Sequence, residues 1–480
     1  MNRGAWQIGY ASCGQQRGKI MARKVVGIVG LVLLVLATSG AGLAQRSDTS
    51  EWSARLGLEP VWSFPLPRPD PRDGVVAAQL LDSDLLVVQT RSAAMHVLDA
   101  RSGLVRWRVN LGKPFQAYQR PAIATQRMVI VPVDLNLVAY ERQSGVRLWQ
   151  VELRDLPETA PACDDWQLVA IEGTTRMRCW FLPDIERLLS GSTTSAVEAK
   201  PGEASVRSVY RSGASSYEIR RQVLREPARL WDFDDPVGYS VPPVCAHHVY
   251  VAFVNREGKL RVVSSQQHQL VSEWQLPADA SAPMTLQLVE RPGEKVVSWE
   301  SWLLVPCRDR AVYAYILQQG KLAAAWQRVL GDFANAPPIT LGSDVLVTTS
   351  QRGTFCLDRD QGQIRWQQAQ AQRFVAASPR MVLALDRQGQ ILALDRRDGR
   401  ILAMARPSYS VRMIPNYFSD RLYLLDAREQ LHCLRDRDPQ CAEMQVYRRL
   451  LFAPPPPKEK KATPEVAAEK TEEKAAGNKP

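Results

Sequence analysis

Five histidines, His96, His247, His248, His268 and His432, are the side chains most ready to bind a metal or move a proton near neutral pH. Only His247 and His248 are close in sequence. Neighbours on a strand point to opposite faces, so this pair makes a poor joint ligand set. The cysteines beyond Cys13 are Cys163, Cys179, Cys245, Cys307, Cys356, Cys433 and Cys441. None has zinc-ligand spacing, and no C-x-x-C-H haem motif occurs. Cys433 and Cys441 are the nearest pair for a disulfide; the competing reading packs the thiols as small apolar groups. There is no G-x-S-x-G, H-E-x-x-H or phosphate-binding loop. Acidic residues gather at strand ends, where turn formation accounts for them. No catalytic, cofactor or metal residue is assigned.

Arginine is the more informative residue. Arg91, Arg256, Arg352, Arg387 and Arg428, with Arg308 or Arg310, fall in equivalent turns of the chain. A guanidinium suits carboxylates and bidentate or stacked contacts. The sharper reading is a set of partner-binding cations; the plainer one is polar turns in an Arg-rich chain.

These residues are positioned by a ten-residue stretch that the chain writes several times. Its clearest copy is Leu357-Asp358-Arg359-Asp360-Gln361-Gly362-Gln363-Ile364-Arg365-Trp366. Asp bonds to the backbone just ahead of it, Gly accepts positive φ, and a new strand reaches Trp four residues on. The spacing recurs as Asp99, Gly103, Trp107 and as Glu141, Gly145, Trp149, then as Asp395, Gly399, Ala403 with the Trp lost. Around each copy lie short Val/Leu-rich runs separated by turn signals. Four antiparallel strands per unit make one propeller blade.

Trp62, Trp107, Trp149, Trp231, Trp274, Trp326, Trp366 and Ala403 follow one another at 45, 42, 82, 43, 52, 40 and 37 residues. The long interval holds an insertion at 183–227, low in complexity over 190–216. The eighth unit has three good strands, and Val61–Leu66 resembles a fourth strand without its first three. Joining them closes a ring and removes exposed sheet edges. The expectation is an all-β, eight-bladed propeller over 61–450, closed by an N-terminal strand, with seven blades as runner-up. In such a ring the Arg turns share one face near the central channel. Residues 45–60 read as a polar lead, 67–73 as a Pro-rich hinge and 453–480 as a disordered Pro/Lys/Glu/Ala tail.

The formal charge of +11 dissolves on inspection. Residues 1–44 carry five cations and no acid, the tail carries six Lys against five Glu, and 50 basic against 45 acidic residues remain between. That balance does not point to nucleic acid, which needs a concentrated basic stripe. Arg23 and Lys24, the apolar run Val25 to Ala37 and the small residues ending Gly42-Leu43-Ala44 have the pattern of a secretory signal. The reading adopted is cleavage after Ala44, with Met21 able to serve as the start; the competing one is an uncleaved membrane anchor over 25–44.

The strand-end Asp, the turn closing on Gly and the Trp four residues beyond resemble the PQQ-like β-propeller repeat, over roughly 61–440. The resemblance implies that the Trp packs between neighbouring blades, a role carried to Trp107, Trp149, Trp274, Trp326 and Trp366, and less fully to Trp62 and Trp231. One branch of that family, the quinoprotein dehydrogenases, uses PQQ and calcium with an adjacent Cys-Cys pair. This chain has no Cys-Cys dipeptide, so PQQ and calcium are disfavoured. The other branch, BamB-like scaffolds of the outer-membrane β-barrel assembly machinery, is exported, eight-bladed and cofactor-free. It implies a monomeric, non-enzymatic scaffold in the periplasm or envelope that binds other envelope proteins or extended peptides. The lipidated Cys of those scaffolds is absent here, which favours a broader exported paralogue. A quinone- or sugar-dependent oxidoreductase is the alternative.

Overall fold

The computed structural model describes residues 48–66, 73–112, 121–182, 226–246, 249–291, 298–407 and 411–447. The signal region, most of the Pro-rich hinge, His247-His248, nearly all of the insertion and the tail lie outside them. Among the described residues, 32 strands form eight four-stranded antiparallel sheets.

After helix α1 (Asp48–Arg55) and strand β1 (Leu58–Pro65), blade I comprises β2 (Val75–Asp82), β3 (Leu85–Thr90), β4 (Ala94–Asp99) and β5 (Val105–Asn110). Blade II is β6 (Ile123–Ala124), β7 (Met128–Val133), β8 (Asn136–Glu141) and β9 (Arg147–Glu152). Blade III is β10 (Ala162–Cys163), β11 (Gln167–Glu172), β12 (Arg176–Phe181) and β13 (Ala228–Asp234). Blade IV is β14 (Val244–Ala246), β15 (Tyr250–Val254), β16 (Lys259–Ser264) and β17 (Gln269–Gln275). Blade V has the longest strands, β18 (Thr285–Arg291), β19 (Ser298–Pro306), β20 (Ala311–Gln318) and β21 (Lys321–Val329). Blade VI is β22 (Ile339–Leu341), β23 (Asp344–Thr348), β24 (Thr354–Asp358) and β25 (Ile364–Gln368). Blade VII is β26 (Arg373–Ala377), β27 (Met381–Leu385), β28 (Ile391–Asp395) and β29 (Ile401–Ala405). Blade VIII takes β30 (Arg412–Ile414), β31 (Leu422–Leu425) and β32 (Gln430–Asp436) from the end of the chain, and β1 completes it.

The ring is therefore eight-bladed, and the seven-bladed reading is set aside. Closure runs through an antiparallel ladder in which Leu58 faces Asp436 and Pro65 faces Gln430. The first strands of neighbouring blades approach one another, which places them nearest the axis. The middle strands are buried on both faces and so read as unbroken apolar runs rather than alternations. In β3, for example, Leu85 and Val87 face blade II, while Leu86 and Val88 face blade VIII. One apolar cluster fills each of the eight blade interfaces.

The N-terminal lead differs from the sequence reading. Part of it is a helix, whose Trp52 is buried together with Leu56 just past its end, where Leu56 N–H donates to Trp52 O at 3.3 Å. Both enter the cluster between blades VII and VIII, against which Ala403 packs. An indole from outside the repeat thus fills the region where the repeat has lost its own. The described cysteines are all free thiols, Cys433 and Cys441 included. Burial pushes Cys433 up to about 12 and Cys441 up to about 11. No helix among the described residues is long and apolar enough to cross a membrane.

Candidate functional site

Antiparallel order puts each turn between a blade's second and third strands at the same end as the link to the next blade. Backbone hydrogen bonds tie the two together around the ring. Arg91 N–H donates to Gly74 O at 3.0 Å, Gly173 to Leu156 at 3.2 Å and Arg256 to Gly238 at 3.0 Å. Arg308 donates to Asp279 O at 2.9 Å and Ser350 to Phe333 O at 3.2 Å. Acidic residues in the links reinforce this face. Asp73 accepts from Thr90 Oγ1 (2.9 Å) and from Ser92 N–H (2.7 Å). Asp332 accepts from the N–H groups of Gln351 (2.6 Å) and Arg352 (3.2 Å). Burial opposes ionisation of both carboxyls, but these donors outweigh it and hold them below the usual range.

Arg91, Arg256, Arg308, Arg310, Arg352, Arg387 and Arg428 all stand on these turns, and all are exposed. They occupy six consecutive blades, from IV through VIII to I. The turns of blades II and III carry no such arginine; Asp134, Asp155 and Glu158 are exposed there, with Arg154 in the link between the two blades. Arg256 and Glu158, 3.6 Å apart, mark the border. Arg387 Nη2 donates to Gln351 O at 3.2 Å, joining the turns of blades VII and VI.

The tryptophans divide into groups. Trp62, Trp107, Trp326 and Trp366 share one arrangement. Each indole N–H donates to the carbonyl just after the acidic turn residue of the next blade: Ala100 (3.2 Å), Arg142 (2.8 Å), Arg359 (2.6 Å) and Arg396 (2.9 Å). Each ring lies under the turn Gly of that blade, where a Cβ would come within 2.5–2.7 Å of Cδ2. Trp231 bonds to Ser265 Oγ at 3.3 Å, and His268 (φ +54°) stands where the other turns have Gly. Trp149 is buried with no partner for its N–H among the described residues. Trp274 is 39% exposed and leans on Tyr315, while Gly320 of the next blade covers Tyr250 instead.

Sequence reading missed an ionic clasp beside this joint. Arg106 bridges Asp84 (2.9 Å) and Asp99 (2.6 Å) within blade I, and Arg142 of blade II reaches back to Asp82 (2.9 Å) and Asp84. Blades VI and VII repeat it: Arg365 bridges Asp344 and Asp358, and Arg396 reaches back to Asp344 at 3.0 Å. Burial raises Asp84, but Arg142 and Arg106 outweigh it and lower its pKa. The available signal was the acid–Arg dipeptide at Glu141-Arg142 and Asp395-Arg396.

The described histidines are dispersed. His96 is fully buried with neither ring nitrogen bonded to a described residue, and burial lowers its pKa to about 4. His432 bridges Ser63 Oγ (2.7 Å) and Asp426 (3.1 Å), tying β1 to the ring. Among the described residues no group of three His, Cys, Asp or Glu is placed to hold a metal.

No curated protein sequence matches this chain. Its structure is similar to the crystal structure of BamB from Moraxella catarrhalis, at 13% identity and a TM-score of 0.52, covering 79% of this chain and 98% of that one. It is also similar to the computationally designed Ika8 protein (10% identity, TM-score 0.50, 78% and 99% covered). The C-terminal WD40 domain of Sif2 is comparable at 8% identity, TM-score 0.50, with 79% and 98% covered. These likenesses concern the fold. The family model of the outer membrane protein assembly factor BamB matches residues 41–290 and 228–433, and the chain belongs to that family.

Proposed function

We propose that the protein is an exported, non-enzymatic scaffold of the cell envelope that serves outer-membrane protein assembly by holding a partner chain on its turn face. Family membership supports the setting, in the periplasm or at the membrane if residues 25–44 are retained. The observation that carries the reading is the run of exposed arginines on six consecutive blades. An acidic or extended peptide is the ligand that such a surface suits, since guanidinium groups pair with carboxylates without needing a deep pocket. The protein acts as a monomer and uses neither PQQ nor calcium.

The test is Arg352→Glu with Arg387→Glu, followed by crosslinking in the native envelope and quantification of captured partners. Capture is expected to fall about tenfold, as charge complementarity governs encounter and register. The melting temperature should fall by no more than about 4 °C, because both side chains are exposed and each gives up one hydrogen bond, Arg352 to Leu330 O and Arg387 to Gln351 O. Undiminished capture would sink the reading. Dye-linked dehydrogenase activity on adding quinone and calcium would favour the oxidoreductase instead.

A further inference from the structure

The turn face is uneven, and its most unusual spot lies between blades V and VI. Two apolar side chains stand in water there: Val329, 62% exposed at the end of β21, and Phe333, 46% exposed in the link to β22. Their backbone is held from both sides. Leu330 N–H donates to Arg310 O at 2.8 Å, Arg352 Nη1 donates to Leu330 O at 2.8 Å, and Ser350 N–H donates to Phe333 O at 3.2 Å. Phe333 is therefore an exposed aromatic on a fixed frame.

The cations around it have few local partners. The Asp332 carboxylate is taken by N–H groups of Phe333, Gln351 and Arg352. Asp309 receives Ala311 N–H and the Tyr313 hydroxyl, and Asp279 pairs with Arg308 at 3.1 Å. Arg310 pairs with no carboxylate among the described residues.

Arg310 is also held against its backbone preference. Each of the eight turns places one residue at positive φ: Ala93, Asp134, Gly173, Gly258, Arg310, Gly353, Gly389 and Glu429. Four are Gly, the residue that tolerates this conformation best. Blade V puts an arginine there, at φ +71°. A long side chain in a strained conformation, beside an exposed Phe, points to a surface kept for binding. Aromatic residues and Arg are the types that anchor interfaces.

We propose that the exposed patch between blades V and VI anchors an extended acidic polypeptide segment carrying one large apolar side chain. The apolar side chain lies on Val329 and Phe333, and the flanking carboxylates pair with Arg310 and Arg352. The inference rests on the turn face being the docking face and names the chemistry of its ligand. Blades II and III, where exposed Asp134, Asp155 and Glu158 stand with Arg154, offer the segment no comparable run of cations.

The probe is a labelled peptide with three Glu on each side of a central Phe, titrated against the full chain by fluorescence anisotropy. Replacing that Phe by Ser, or the Glu residues by Lys, should each weaken binding at least about tenfold. In the protein, Phe333→Ser should do the same. Arg310→Gly should weaken binding about threefold or more while leaving the melting temperature equal or higher, since Gly suits that φ. Misfolding cannot then explain the loss. No binding by the wild-type chain, equal binding of the Phe-free peptide, or undiminished binding by Arg310→Gly would each overturn the proposal. So would a dimer that Phe333→Ser dissociates without any affinity for the peptide. Envelope capture lost on reversing Arg352 and Arg387 but indifferent to Phe333→Ser removes the patch alone; capture indifferent to both removes the docking face.

Discussion

At the scale of single residues, the turn glycine answers two demands that sequence shows as one. It takes positive φ for its own turn, and it clears space for the Trp of the preceding blade. Gly362 meets both, with φ +66° and a Cβ position 2.5 Å from Trp326 Cδ2. Gly389 meets only the first, with φ +78° and no atom within 4 Å of its Cβ position. Gly389→Ala should therefore cost only backbone strain, about 1–2 kcal/mol. Gly362→Ala adds overpacking against a ring wedged between blades, for about 3–4 kcal/mol in all. Denaturant midpoints at constant slope would measure the difference, and equal losses would show that the close approach is relieved cheaply. The spacing from Asp to Gly to Trp was legible because a tight turn is local chemistry. What the indole touches was not, because its partner sits 30–40 residues on, in the next blade. Trp149 has that spacing, yet its indole N–H has no partner among the described residues. The exposed Phe333 carried no signal either, since a short link gives no periodicity from which to read burial.

At the scale of elements, the fold corrects its own repeat. Blade VII offers Ala403 where its siblings have Trp, and α1 brings Trp52, 4% exposed, into the same cluster. The sequence of α1 reads as a polar lead because Trp52 is its one large apolar residue, with Leu56 just past its end. Trp52→Ala should destabilise the protein by about 3–5 kcal/mol, the usual cost of emptying a buried indole site. Ala403→Trp alone should be unfavourable by about 1–3 kcal/mol through overpacking. Combined, the two should cost less than their sum, because the new indole enters the volume the old one left. A double-mutant cycle in urea reads that coupling, and strict additivity would mean the two sites do not share space. The ionic clasp belongs to this scale as well. Its acid–Arg dipeptides were visible, but Arg142 reaches Asp84 and Arg396 reaches Asp344 only after neighbouring blades have docked.

At the scale of the whole molecule, eight similar interfaces differ in one respect: seven join blades continuous along the chain, and blade VIII joins its two ends. The ladder of β1 on β32 ties residue 58 to 436, so its opening frees almost the entire chain. Glu59 and Arg435 face each other there, with side chains 2.6 Å apart and partly exposed. Replacing both by Cys should allow a disulfide across the closing strands while sparing the apolar clusters on either side. On the chain-entropy argument, so long a loop gives an upper bound of roughly 6 kcal/mol of stabilisation. Native strain will lower it, so an increase of about 2–4 kcal/mol is expected. The native thiols should not compete, because burial pushes those of β12, β24 and β32 up to about 12. The comparison is the oxidised double variant against the same protein reduced, with one intramolecular bond verified by intact mass. A higher midpoint on oxidation would show that residues 59 and 435 separate when the ring unfolds, as closure of the ring by β1 requires. Equal midpoints would mean that strain in the bridge cancels the entropic gain or that β1 and β32 stay paired after the blades have come apart.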